Sequence, residues 1–132
     1  MSVGFLSPEW FDQLAAAVAG GPHYAGPDFV VEVRVLGGDD GPVTYHVVLE
    51  DGSPLRYRAG AAPGPTGASY DQAWADAVAQ VEGRYDPAVG FMQGNLKVKG
   101  SSRPLLELFQ LWAHPTHAEA QARLAEKVGV GA

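Results

Sequence analysis

Apolar positions recur with two periods along this chain, and the switches between them predict its elements. Phe11, Leu14 and Val18 recur at helical spacing. Ahead of them stand Ser7 as a candidate N-cap, Pro8 at the first helical position and Glu9 at the positive end of the helix dipole. Leu6 can pack on Phe11 as a hydrophobic staple, and Gly20-Gly21-Pro22 stops the helix. Period two follows. In residues 29–36, Val31, Val33 and Val35 alternate with Glu32 and Arg34. In residues 43–50, Val43, Tyr45, Val47 and Leu49 alternate with Thr44, His46, Val48 and Glu50; in residues 55–59, Leu55, Tyr57 and Ala59 alternate with Arg56 and Arg58. The joining segments, 37–42 and 51–54, have hairpin length and turn residues. This predicts an antiparallel meander with one buried face and one mostly wet face, the wet face carrying His46.

Residues 60–67 form a Pro/Gly loop without periodicity, and Ala68-Ser69-Tyr70 reads as a short fourth strand. Asp71 is then expected to cap a helix with Trp74, Ala77, Val78 and Val81 on one stripe, ended by Gly83. Asp86-Pro87 opens a shorter helix to Gln93, ended by Gly94, and residues 96–99 are the fifth strand. Ser102 is expected to cap the next helix. Thr116 with Glu119 forms a capping box for the last one, whose apolar stripe is Leu124 and Val128 with alanines.

The helix over residues 105–113 is greasier than a sheet-packing helix needs. Only Glu107 and Gln110 are polar, on one strip, whereas an apolar arc of roughly 100° suffices. The surplus can meet another helix, a second subunit, a lipid surface or an apolar ligand. Phe91, Met92, Leu96, Val98 and Trp74 add large apolar side chains nearby, suited both to an adaptable pocket and to an ordinary core.

Composition narrows the partners. The chain has 132 residues, enough for one domain that buries roughly 70% of its unfolded surface. Its net charge of −6 and the lack of any Lys/Arg run argue against nucleic acid and against electrostatic capture by anionic lipid. No cysteine is present, so disulfides and thiolate chemistry are excluded, in keeping with a cytoplasmic location. No signal peptide or membrane-spanning run is expected.

Candidate chemistry is sparse. His114 and His117 are three apart, a spacing that metal sites use, but they stand at a helix start with no third ligand in view, so a surface cap is the expectation. His46 reads as exposed or hydrogen-bonded, and as a general base if helices cover its face. No Gly-x-Ser-x-Gly setting and no phosphate-binding glycine motif is found. Neither a metal nor a cofactor is expected.

Residues 91–100, Phe-Met-Gln-Gly-Asn-Leu-Lys-Val-Lys-Gly, resemble the glycine-leucine-lysine-x-lysine-glycine signature of the sterol carrier protein 2 family. The order of elements agrees: a helix, a three-stranded meander, a Pro/Gly loop, a capped helix, Asp86-Pro87, the motif, then a leucine-rich helix. The resemblance covers about residues 29–112. It implies an α/β fold of the α+β type: a five-stranded, mostly antiparallel or mixed sheet covered on one face by about five helices. Residues 1–132 are then a single domain, with a core over about residues 5–112 and a candidate lid helix over about residues 116–128. It further implies an apolar tunnel between sheet and helices for a fatty acid, acyl-CoA, sterol or similar lipid. The residues it assigns to ligand binding are Trp74, Phe91, Met92, Leu96, Val98, Leu105, Leu108, Phe109 and Trp112. Asn95 replaces the family's basic residue, and Gln110 stands one place late for the family's glutamine. Non-catalytic carriage or transfer is the expected role, with transient membrane contact and an oligomer through the 105–112 helix as further partners. The alternative is a small isomerase or cyclase that holds a polyketide or terpenoid intermediate and moves a proton with His46 or a tunnel-lining acid.

Overall fold

The computed structural model describes residues 5–38, 41–94 and 96–128. Its strands in chain order are β1 (His23–Tyr24), β2 (Phe29–Leu36), β3 (Val43–Leu49), β4 (Ser53–Pro54), β5 (Arg56–Ala59), β6 (Ala68–Ala73) and β7 (Val98–Gly100). Its helices are α1 (Pro8–Val18), α2 (Trp74–Val81), α3 (Pro87–Met92), α4 (Ser102–Ala113) and α5 (Pro115–Val128). Five strands form one sheet in the order β5-β3-β2-β6-β7, and β1 pairs with β4 in a small ladder of its own. β5, β3 and β2 are the antiparallel meander that alternation predicts. β6 joins β2 in parallel and β7 joins β6 antiparallel, so the sheet is mixed.

The register puts every second residue into one apolar face. Val31 lies opposite Val47 and Ala68, and Val47 opposite Tyr57. Val33 lies opposite Tyr45 and Tyr70, and Tyr70 opposite Val98. Against this face the helices bring Trp10, Phe11, Leu14 and Val18 from α1, Leu105, Leu108, Phe109 and Trp112 from α4, and Leu124 and Ala125 from α5, all in one core. Each such large side chain contributes about 1.5–3 kcal/mol through burial. α4 touches α3, α5 and β1, and this surround absorbs its surplus of leucines.

Several local expectations hold. The Ser7 hydroxyl accepts from the Trp10 N–H at 3.2 Å, and the Asp86 carboxylate accepts from the Ala88 N–H at 2.9 Å. Others are corrected. Asp71 does not cap α2; it lies within β6 and pairs with Arg34 of β2 at 2.9 Å. The parallel ladder runs on to Ala73 and outweighs a single cap bond, so α2 starts without a side-chain cap. α4 starts after Ser101, with Ser102 as its first helical residue. α5 starts at Pro115, and the His114 Nδ1, not Thr116, receives the first-turn bond, from the Thr116 N–H at 3.2 Å. The Val128 side chain, Asn95 and the Asp39-Asp40 turn lie outside the described residues.

The outer sheet face is less wet than alternation suggests. The 60–67 loop folds back over it. The His46 Nδ1 bonds the Gly60 carbonyl at 2.9 Å, and the Ala62 N–H donates to Glu32 Oε1 at 3.0 Å. His46 is therefore buried, a satisfied histidine on the face away from the helices.

Two glycines of the 91–100 motif have different duties. Gly94 ends α3 with φ 77°, and a Cβ there meets open space. Gly100 has φ 97°, and a Cβ there would run into the Gly67 carbonyl and the Ala68 backbone. The adjoining Ser101 N–H donates to that same carbonyl at 2.9 Å, so β7 is drawn tight onto β6. Gly94→Ala is therefore expected to destabilise by about 1–2 kcal/mol, the strain of a left-handed residue alone. Gly100→Ala is expected to lose about 3 kcal/mol or more, because backbone must also move. Urea unfolding of the two variants measures the difference.

Candidate functional site

The space between sheet and helices is the candidate site, and its polarity is the surprise. Inward positions of the sheet carry Tyr45, Tyr57, Tyr70 and Gln72, all buried. The Tyr57 hydroxyl accepts from the Trp112 indole N–H at 2.7 Å and lies 2.6 Å from the His117 Nε2. An indole nitrogen can only donate, so the phenol accepts from Trp112, and it donates its own proton to Nε2 in the tautomer of His117 that is protonated on Nδ1. His117 is then neutral and carries its proton on Nδ1, which is buried and has no partner among the described residues. Burial pushes the His117 pKa down to about 4, with the nearby His114 adding to the fall. Burial pushes Tyr57 well above the usual phenol range, although the Trp112 bond opposes the rise. Tyr70 is raised well above it too, by burial first.

Two voids flank this cluster. A small one of about 20 Å³ lies among Phe11, Tyr45, Tyr57 and Gln72, room for about one water. A cleft of about 300 Å³ opens beside it, bounded by residues 83–87, Phe109 and Ala118. Gln80, Trp112 and Gln121 line both. Gln80 is itself held, accepting from Gln72 Nε2 at 2.8 Å. The cleft lies at the small end of the range for ligand sites.

The expected ligand residues are spread unevenly. Phe109 and Trp112 line the cleft. Leu96, Leu105 and Leu108 are buried in the closed core. Phe91 and Val98 are half-buried at its margin. Trp74 stands edge-on to Phe5, ring centroids 5.3 Å apart, and closely covers Gly38. Met92 is 74% exposed. Gln110 is exposed as well, on the outer side of α4. Of the two α5 histidines, His114 is the exposed cap, while His117 is fully buried rather than at the surface. No group of three or more His, Cys, Asp or Glu among the described residues could hold a metal ion.

Tyr57, Tyr70, Gln72, Gln80, His117 and Gln121 complete the interior; none was named as a ligand-site residue from the sequence, where Tyr57 and Tyr70 were read as strand positions and His117 as a surface cap. Two signals could have found them. Period two carried past Tyr70 places Gln72 inward. The α5 stripe read at Leu124 and Val128, carried back seven residues, lands on His117 and Gln121.

No protein-family model matches this sequence, and no curated protein does. Solved structures match its fold. A crystal structure of sterol carrier protein 2 has 16% identity and a TM-score of 0.63, over 95% of this chain and 99% of that one. The solution structure of palmitated SCP2L2 from Aedes aegypti has 18% identity and a TM-score of 0.60, over 86% and 96%. The inverting sec-alkylsulfatase Pisa1 from Pseudomonas sp. has 20% identity and a TM-score of 0.51, over 79% of this chain but 16% of the sulfatase. The chain thus has the sterol carrier protein 2 fold, as the 91–100 motif implied. No helix among the described residues is long and apolar enough to cross a membrane.

His117 makes stability depend on pH. Its folded pKa, about 4, lies below the unfolded value of 6.5. The unfolded chain therefore takes up a proton first as pH falls, and stability present above 6.5 is lost on the way down to about 4. Between pH 7 and pH 5, before most carboxylates titrate, this group accounts for a loss of roughly 2 kcal/mol. His117→Gln, which keeps an acceptor for Tyr57 but cannot titrate, is expected to flatten that slope in urea unfolding. An unchanged slope would show that His117 is not its source.

Proposed function

We propose that this chain binds a hydrophobic ligand in an internal apolar tunnel between sheet and helices and acts as a non-catalytic lipid carrier. The ligand class is a fatty acid, acyl-CoA, sterol or similar lipid. The carrying observation is the cleft that shares Gln80, Trp112 and Gln121 with the small void beside the sheet. The fold shared with sterol carrier proteins, one of them palmitated, supports the same reading.

Opening is a matter of side chains and one helix. α5 packs mainly on α1, α2 and α4, and it places only Leu124 and Ala125 in the apolar core. In this reading α5 is the lid. A chain that enters past Phe109 and Trp112 then meets Leu105, Leu108 and Leu96, with Phe91 and Val98 at the margin. Each buried CH₂ contributes about 0.8 kcal/mol, so binding needs no catalytic group. Val89, 42% exposed, and Met92 place an apolar patch on α3, next to the Asp86-Pro87 rim of the cleft. In this reading that patch touches a neutral lipid surface during exchange, since a net charge of −6 disfavours an anionic one.

Native mass spectrometry of freshly purified protein is expected to show added lipid mass, and fluorescent fatty acid, acyl-CoA or sterol is expected to be taken up saturably. Absence of both would overturn the carrier reading. Met92→Asp is expected to slow ligand transfer to phosphatidylcholine vesicles several-fold, read by loss of fluorescence transfer with time.

A further inference from the structure

Tyr70 is the interior group whose place the carrier reading does not yet explain. It is 3% exposed, and its hydroxyl has no hydrogen-bond partner among the described residues. Leaving a buried hydroxyl unpaired is destabilising, and folded proteins rarely do so without a use for the group. The β6 register sends this side chain into the helical face, opposite Val33 and Val98. Its ring stands edge-on to Phe109 at 6.0 Å, and Phe109 is a wall of the cleft. Tyr85, another cleft residue, is near enough to act on the Tyr70 hydroxyl electrostatically. Tyr70 lines neither void itself; the Phe109 ring stands between it and the cleft, and a ligand there reaches Tyr70 only when that ring turns aside.

The chemistry of the surroundings limits what the hydroxyl can meet. The polar side chains buried in the inner face and α5 are Gln72, His117 and Gln121, together with the tyrosines, and none is a cation. A carboxylate carried inward would lose its water without gaining an opposite charge, so an ionised head group stays outside. An uncharged oxygen can enter and accept one proton.

We propose that Tyr70 is the specificity-determining residue of the cavity, donating a hydrogen bond to an uncharged hydroxyl, ketone or ester oxygen of the bound lipid. The inference rests on the carrier reading and names the ligand class within it: neutral, singly oxygenated lipids in preference to hydrocarbon of the same length.

Equilibrium competition against a fluorescent long-chain ester, using 2-dodecanone, 1-dodecanol and dodecane, tests it. The wild-type chain is expected to bind the ketone and the alcohol at least tenfold more tightly than the alkane. Tyr70→Phe is expected to bring the three within about threefold of one another. If the wild type binds none of them saturably, the carrier reading fails and this inference with it. If it binds all three and Tyr70→Phe leaves their ratios unchanged, Tyr70 is not the anchor and the carrier reading stands. The variant's thermal midpoint is expected to be no lower than that of the wild type, since it loses an unpaired hydroxyl; a clear drop would reveal a structural partner and overturn the inference. A second measurement needs no variant. In wild-type protein labelled with ¹³C at tyrosine Cζ, the Tyr70 resonance is expected to move with 2-dodecanone and not with dodecane, and equal movement with both would count against the proposal.

Discussion

One phenol oxygen joins the sheet to both C-terminal helices. Tyr57 sits on β5, an edge strand of four residues, and its hydroxyl is taken by Trp112 of α4 and His117 of α5. The indole can only donate, so the phenol oxygen accepts there and is left with one proton and one lone pair to share with His117. Removing Tyr57's oxygen would strand two buried partners, each costing about 1–3 kcal/mol. The constraint sets more than stability. Trp112 and Gln121, two of the three side chains that line both the void and the cleft, stand on the helices that this oxygen holds in place. Any movement of α5 off the sheet gives up the bond between Tyr57 and His117, so this one contact is its polar grip on β5.

That contact also explains why the interior is polar yet uncharged. Burial holds Tyr45, Tyr57 and Tyr70 in their protonated forms and His117 in its neutral form. The cavity therefore offers hydrogen bonds without ions. Water-excluded hydrogen bonds of this kind orient a ligand, while apolar walls supply most of its affinity. The ion pairs of the described residues, Arg34 with Asp71, Arg56 with Glu50, Arg84 with Glu82 and Arg123 with Glu119, all lie at the surface, where each contributes at most about 1 kcal/mol.

The fold was legible because its two periods are clean. Val31, Val33 and Val35 fix which face of β2 is buried, and a slip of one residue would put Glu32 and Arg34 into the core. The site was less legible because it is built from polar residues at apolar positions. His117 and Gln121 stand where a stripe of leucines would be expected, and a search for greasy side chains passes over them. The length of β6 was hidden for a related reason. Asp71 is a good N-cap in isolation, but here a parallel neighbour gives it Arg34, and only tertiary pairing reveals that. His46 was assigned to the correct face, yet its burial depends on the 60–67 loop folding back, which composition does not encode.

The motif that carried the resemblance works at one remove from ligand chemistry. Gly100 lets β7 close onto the Gly67 carbonyl and the Ala68 backbone, and the Leu96 N–H bonds the Gly90 carbonyl at 3.1 Å to turn the chain out of α3. Both features are backbone geometry. They place β7 beside β6, and so hold Tyr70 under Phe109, without touching the cavity themselves. A motif of that kind reports which fold the chain adopts, because any sequence that closes the same edge needs the same glycine. It is silent on the polar lining of the interior, which stands on β5, β6, α4 and α5, where the pleat and the helical stripe admit apolar and polar side chains alike. Proteins that share the motif can therefore share this architecture and differ in the lining of its interior, which in this chain carries buried tyrosines that residues 91–100 do not foretell.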